Sequence, residues 1–271
     1  MGSAVLLDTD DLLVIDTEAM PWEANPGIPD GRMKTLARAE AGWTEVLVNW
    51  LPPDIGGGEP HRHYHLTVRE RGFVLDGELP MVEFVAGDAG PGSAVLFRSG
   101  FFMDRAPGCI HGLDPRSTSP SGFTILEWRD GTGTYLLEEE AATESVVESA
   151  PAEVVDRDRD PRPGVVVDRD DLSLLDVLEL PWDVPESDGA TRVQRLSGAN
   201  DADRVTIAYV PAGERDQALL GDGEARRGYV LSGGLELAGG VLVGAGGYLE
   251  RRGSAAVVAV AREIGCRLLR F

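Results

Sequence analysis

The chain has 271 residues, 42% of them hydrophobic, and a formal net charge of −21. That length suits two domains of about 130 residues each, and the apolar content lets each bury a core. The charge argues against nucleic acid and anionic membrane surfaces as partners, because both would be repelled. A small anion remains open as a ligand where arginines line a pocket.

From the start of the chain, Ala4 to Leu7 is apolar, but it is short, lacks a basic flank and meets Asp8. No signal peptide is read there. No later stretch approaches the ~18 apolar residues of a membrane span. Cys109 and Cys266 are the only cysteines and stand in no metal or redox spacing. Without a disulfide framework, the expected location is the reducing cytoplasm.

Val46, Val48 and Trp50 alternate as a half-buried strand should. Next comes Gly57-Gly-Glu-Pro-His61-Arg-His63-Tyr-His65, followed by Glu70 and Gly77, and later by Gly108-Cys-Ile-His111. These are the only four histidines in the chain, and all fall in this stretch. In a strand, residues two apart share a face, so His63 and His65 can aim at one ion. Glu70 adds a hard oxygen, and His111 closes the set from a distant strand. The pattern reads as a mononuclear site for a divalent metal with ligands His63, His65, Glu70 and His111.

His61 has the right parity but reads as a rim residue rather than a fifth ligand. Tyr64 points outward as packing. Cys109, two residues before His111, reads as a small packing residue. Arg98, Phe102, Arg105 and Glu127 are candidates to line the cavity, an arginine being suited to anchor a carboxylate.

Residues 131–163 are acidic and rich in Ala, Ser and Pro, including Glu138-Glu139-Glu140, and read as a linker. Tyr135 to Ala150 carries a weak amphipathic pattern that allows a helix. Residues 164–271 then repeat the first half. Asp10-Asp11-Leu12 recurs as Asp170-Asp171-Leu172, Met20-Pro21-Trp22-Glu23 as Leu180-Pro181-Trp182-Asp183, and Arg71-Gly-Phe-Val-Leu75 as Arg227-Gly-Tyr-Val-Leu231. Gly122-Phe-Thr-Ile-Leu126 returns as Gly265-Cys-Arg-Leu-Leu269. The second half has no histidine, and Leu219, Gly221 and Arg226 stand opposite His63, His65 and Glu70. Gly239-Gly240 and Gly244-Ala-Gly-Gly247 read as hairpin turns. With 34 glycines, 17 prolines and short apolar runs, the chain is expected to be all-β. The domains are 1–130, metal-binding, and 164–271, degenerate and without ligands, joined by the 131–163 linker.

The spacing Gly57, His63, His65, Glu70, Gly77 resembles the first motif of the cupin superfamily. Gly100, Gly108 and His111 resemble the second, with Ala106 and Pro115 where the family has Pro and Asn. The two Pro-Trp segments resemble the ChrR-like branch. This likeness implies two tandem jelly-roll barrels, a bicupin with one degenerate barrel. It also implies that His63, His65, Glu70 and His111 form the family's three-histidine, one-glutamate ligand set. A non-haem Fe(II) dioxygenase or other oxygenase acting on a small metal-chelating substrate is the first functional expectation. A non-redox isomerase, lyase or hydrolase using Zn, Ni or Mn is the second; for the ion itself Fe(II) is expected first, with Zn, Ni, Mn or Cu as alternatives. A non-catalytic ChrR-like sensor or small-molecule-binding module is the third. A homodimer is an expectation of the resemblance.

Overall fold

The computed structural model describes residues 3–38, 45–56, 63–65, 67–84, 92–130, 135–137, 163–169, 171–183, 191–196, 205–216, 219–220 and 226–271. Among these residues every regular element is a β-strand, and the sheets are antiparallel. Among them no helix is long and apolar enough to cross a membrane. The chain forms two compact units. One is Trp22–Leu180; the other joins Met1–Pro21 to Pro181–Phe271.

In the Trp22–Leu180 unit the long strand Arg69–Glu83 is the spine. Its first part pairs with Phe123–Asp130 and Phe101–Arg105; its second pairs with Ser93–Arg98 and His111–Leu113. The strand passes from one set of partners to the other at Gly77. This residue has φ of 81°, and a Cβ there would lie 2.0 Å from the Gly122 carbonyl oxygen. Only a residue without a side chain fits both constraints. The same glycine pair recurs as Gly233 and Gly265 in the other unit, with the same 2.0 Å clash.

Glu45–Leu51 lies between Phe123–Asp130 and Arg32–Ala37. Its Val46 and Val48 are buried as the alternation predicts, but Leu47, Asn49 and Leu51 are buried too. The strand is therefore covered on both faces rather than half-buried. Leu51, Phe123, Ile125, Val74, Met103 and Phe97 build the core inside this barrel.

In the second unit Arg227–Leu237 takes the spine position, pairing with Ala259–Arg270 and Gly247–Arg251. Of the two expected hairpin turns the structure forms one; Leu242–Gly244 and Gly247–Arg251 both pair with Arg227–Leu237, so the second is a turn between them and not a hairpin. One joins Arg227–Leu237 to Leu242–Gly244, where the Leu237 amide donates to the Val241 carbonyl at 2.9 Å. The other leads into Gly247–Arg251 through Gly246, with φ of 80°.

The register shows an exchange of strands between the repeats. Leu12–Asp16 pairs with Gly247–Arg251, late in the chain, and Val14 is buried in that unit's core. Leu172–Asp176, from the second repeat, pairs with Phe101–Arg105, and Leu172 and Leu174 are buried in the first unit's core. The compact units thus differ at their edges from the sequential division 1–130, 131–163 and 164–271. Backbone ladders and buried leucines, rather than order along the chain, assign each strand. The linker segment also differs from expectation, because Tyr135–Leu137 is a strand paired with His63–His65 and not the first turn of a helix. Residues 138–150 of the expected helix lie outside the described residues.

A fragment 1–150 lacks Leu172 and Leu174, each of which would cost about 2–5 kcal/mol if merely truncated to Ala. We expect fragment 22–180 to give cooperative denaturant unfolding and a monodisperse gel-filtration peak, and fragment 1–150 to aggregate. The reverse pattern would contradict the strand assignment.

Candidate metal centre

His63 and His65 sit on a three-residue strand held between Tyr135–Leu137 and His111–Leu113. His111 is the register partner of His63, so the second-motif histidine arrives beside the first-motif pair. The His65 carbonyl accepts a hydrogen bond from the Gly108 amide at 2.8 Å, tying the two motif loops together. Tyr64, of opposite parity, packs on the cluster Val82, Phe84 and Ile110, as expected.

The three imidazoles each offer a ring nitrogen, and these atoms all lie within 4.8 Å of one another. The His63 and His111 ring centroids are 4.2 Å apart, and the other two pairs 5.6 and 5.8 Å. Glu70 places Oε1 at 3.4 Å from His65 Nε2 and Oε2 at 3.3 Å from His111 Nε2. His65, Glu70 and His111 are buried, and His63 is half-buried.

His111 defines the chemistry of this cluster. Its Nδ1–H donates to the Cys109 carbonyl at 3.1 Å. Burial first, and then Arg105, push its pKa well below the ordinary value, so the ring is neutral. Nε2 therefore presents a lone pair to a carboxylate oxygen 3.3 Å away. Two lone pairs at that separation repel unless a cation lies between them. Neighbouring ligands of one ion, with bonds of about 2.0–2.2 Å, stand about 3 Å apart. The donor set and its spacing fit a divalent transition metal, and the three-histidine group could hold one.

A network of buried charge surrounds these groups. Arg105 donates to Glu70 Oε2 at 2.7 Å and forks to Glu83 at 2.5 and 3.3 Å, with its guanidinium 5.6 Å from the Phe97 ring centroid. Arg129 lies 3.7 Å from Glu70 Oε1 and forms an ion pair with Glu127. Asn49 donates to Glu127 at 3.0 Å and accepts from Asn25 at 3.2 Å. Burial alone would raise the Glu70 carboxyl, but its charged neighbours, Arg105 and Arg129 among them, hold it well below the usual carboxylate range. Burial instead dominates at Glu83 and Glu127 and raises both, despite Arg105 beside the first and Arg129 beside the second. The Cys109 thiol is pushed up to about 12 by burial and then by Glu83, so it is an inert packing group.

Of the cavity candidates, Arg105 and Glu127 reach the site. Arg98 is solvent-exposed and pairs with Asp176 at 2.5 Å, while Phe102 packs with Trp128 at a centroid distance of 6.2 Å. His61 lies outside the described residues. Sequence reasoning missed Glu83, Arg129 and Asn49. Arg129 shares strand parity with Glu127 and is the register partner of Glu70, a signal visible only once that strand is aligned. Glu83 gave no signal, because its role rests on the bend of the Arg69–Glu83 strand.

The second unit has no such centre among its described residues. Leu219 and Leu220 are fully buried there, and a Cβ on Gly228 would sit 2.8 Å from Leu220 Cδ2. Apolar side chains close that barrel's interior, joined by Val230, Leu249 and Leu268.

Neither a protein-family model nor a curated protein matches the sequence. Solved structures do, and cupin barrels are among them. The chain has the cupin fold. It is similar to a candidate glyoxylate-induced protein from Pseudomonas aeruginosa, with 17% identity, 97% of this chain and 89% of that one covered, and a TM-score of 0.66. A candidate dioxygenase from Nostoc punctiforme gives 12%, 96%, 82% and 0.60 in the same order. An oxalate decarboxylase from Lactobacillus farciminis gives 11%, 95%, 84% and 0.57. At these identities the likeness carries the cupin architecture and no activity.

The buried, neutral His111 has a measurable consequence. Its folded pKa lies below the ordinary value of 6.5, so the unfolded chain takes up a proton first. That contribution to stability is complete above pH 6.5 and is lost as pH falls towards the folded pKa. Urea melts of metal-free protein should show stability declining below about pH 6.5. His111→Gln should flatten that slope; an unchanged slope would show that His111 is not the titrating group.

Proposed function

We propose that this chain is a metal-dependent cupin enzyme acting on a small, anionic, metal-chelating organic substrate, with Fe(II)-dependent oxygenase chemistry as the leading reading. The observation that carries it is the Glu70 carboxylate facing the His65 and His111 ring nitrogens at 3.4 and 3.3 Å, with His63 alongside. His63, His65, Glu70 and His111 would hold the ion. With only four protein ligands, such an ion would still be able to accept a chelating substrate. When bound, the ion supplies Lewis-acid and, as iron, redox chemistry.

The chain's own residues prepare the site. Arg105 and Glu83 hold the Glu70 carboxylate in place from behind, leaving its charge directed at the imidazoles. The Cys109 carbonyl fixes the His111 tautomer so that Nε2 is the donor atom. Burial of Glu70, Glu83, Glu127 and Arg105 keeps water from competing.

Charge selects the substrate class. Three buried carboxylates (Glu70, Glu83, Glu127) face two guanidiniums (Arg105, Arg129). With all of them ionised, a divalent ion turns this set net positive, and protonation of Glu83 or Glu127 makes it more so. An anionic ligand is then favoured locally, although the whole chain is strongly acidic. A carboxylate or enolate able to chelate meets that requirement. A non-redox lyase is the second reading, since a divalent ion held by these four residues would polarise a bound carboxylate without any redox change.

The test begins with elemental analysis of protein purified without added metal, where near-stoichiometric iron is expected. His65→Ala and Glu70→Gln should each lower metal affinity by at least about tenfold with the fold intact by circular dichroism. Iron-loaded protein should consume O₂ with enolisable carboxylates or diketones. Turnover under strict anaerobiosis with manganese or zinc would shift the assignment to the lyase reading, and unchanged metal affinity in both variants would remove the site.

A further inference from the structure

Two guanidiniums divide the Glu70 carboxylate between them. Arg105 donates to Oε2 at 2.7 Å, and Arg129 stands 3.7 Å from Oε1. Each arginine is held in turn by a second buried carboxylate, Arg105 by Glu83 and Arg129 by Glu127. The Arg129 arm continues outward. Glu127 Oε2 accepts from the Asn49 side-chain amide at 3.0 Å, and Asn49 Oδ1 accepts from the Asn25 side-chain amide at 3.2 Å. Asn25 Oδ1 accepts from the Gly27 backbone N–H at 2.9 Å. A backbone N–H can only donate, so this last bond fixes which end of the Asn25 amide is oxygen. The polarity then runs inward: Asn25 presents its NH₂ to Asn49, and Asn49 presents its own to Glu127.

We infer that Asn49 is a positioning residue for the metal centre, acting through Glu127 and Arg129 on Glu70 Oε1. The inference rests on the reading of Glu70 as a ligand. Strand register puts these groups on one face: Arg129 lies opposite Glu70, Glu127 lies opposite Leu47, and Asn49 is two residues beyond Leu47. Asn49, Glu127 and Glu70 are buried, whereas Arg129 and Asn25 are half-buried. A buried carboxylate loses more by giving up a donor than an exposed one, so Glu127 keeps the orientation that Asn49 sets. Arg129 follows Glu127, and Glu70 Oε1 faces Arg129. The same Oε1 is 3.4 Å from His65 Nε2, so a shift there changes the spacing of two proposed ligands.

The other repeat offers an internal comparison. Ala208 takes the Asn49 position: it pairs with Val193 and Leu268, where Asn49 pairs with Met33 and Ile125. Arg270 takes the Glu127 position, opposite Gly228 where Glu127 is opposite Gly72. The strands and their pairing are the same in both, so the sheet needs neither the Asn49 amide nor the Glu127 carboxylate. Both are absent from the repeat that has no histidine, which ties them to the centre rather than to the barrel.

The experiment loads the full chain with Co(II), whose visible absorption reports the arrangement of its ligands. Wild-type protein is compared with Asn49→Leu, which keeps the size and removes the donor, and with Asn25→Ala at its half-buried position. Asn49→Leu, folded by circular dichroism, should bind Co(II) about tenfold more weakly and with a shifted visible band. Asn25→Ala should shift the band in the same direction by less. A packing role alone would be filled by leucine, leaving the band where it is. Wild-type affinity and spectrum in folded Asn49→Leu overturn the inference and leave the metal reading standing. If Asn49→Leu does not fold, an unchanged spectrum in Asn25→Ala overturns it instead. No uptake of Co(II) by the wild-type chain removes the metal reading and this inference with it.

Discussion

The bare ring nitrogen of a neutral imidazole and an ionised carboxylate cannot face each other across a dry gap of about 3 Å unless positive charge lies between or behind them. This constraint organises the first barrel. His111 is fixed in one tautomer by the Cys109 carbonyl, and Glu70 is held anionic with Arg105 at its back. Arg105 in turn is buried only because Glu83 takes its other side. Each buried charge makes the next one tolerable, and the chain ends where the imidazoles converge. The three converging imidazoles form a group that could hold a metal ion.

Much of this was legible in the residues. The His63-x-His65 alternation gives one-face parity in a strand, and the structure brings the two rings together with His111 in register against His63. What the sequence could not reveal was the support. Glu83 lies thirteen residues beyond Glu70, and it comes near only through the bend at Gly77 and the reach of Arg105. Arg129 lies near the end of the strand Phe123–Asp130. The register of Phe123–Asp130 against Arg69–Glu83 decides its place, and single-chain periodicity does not encode register across long loops.

Domain edges were harder still. Repeats at a fixed spacing suggest two independent modules, and hydrophobic pattern cannot distinguish a strand kept at home from one lent to the other module. Leu12–Asp16 and Leu172–Asp176 carry the same apolar pattern, and each fits either sheet. Pairing settles the matter, because Val14 and Leu174 are fully buried in the cores of the opposite repeats.

That exchange has a consequence during synthesis. Leu12–Asp16 emerges from the ribosome early, yet its partner Gly247–Arg251 is among the last strands to be made. At about 5–20 residues per second, an apolar strand with open backbone groups waits roughly 10–50 s for its neighbour. The Trp22–Leu180 unit, by contrast, has all its strands once Leu172–Asp176 has emerged, long before the C-terminal barrel can close. The nascent chain therefore completes the barrel that carries the histidine cluster first, while its own leading hairpin waits unpaired with Gly247–Arg251.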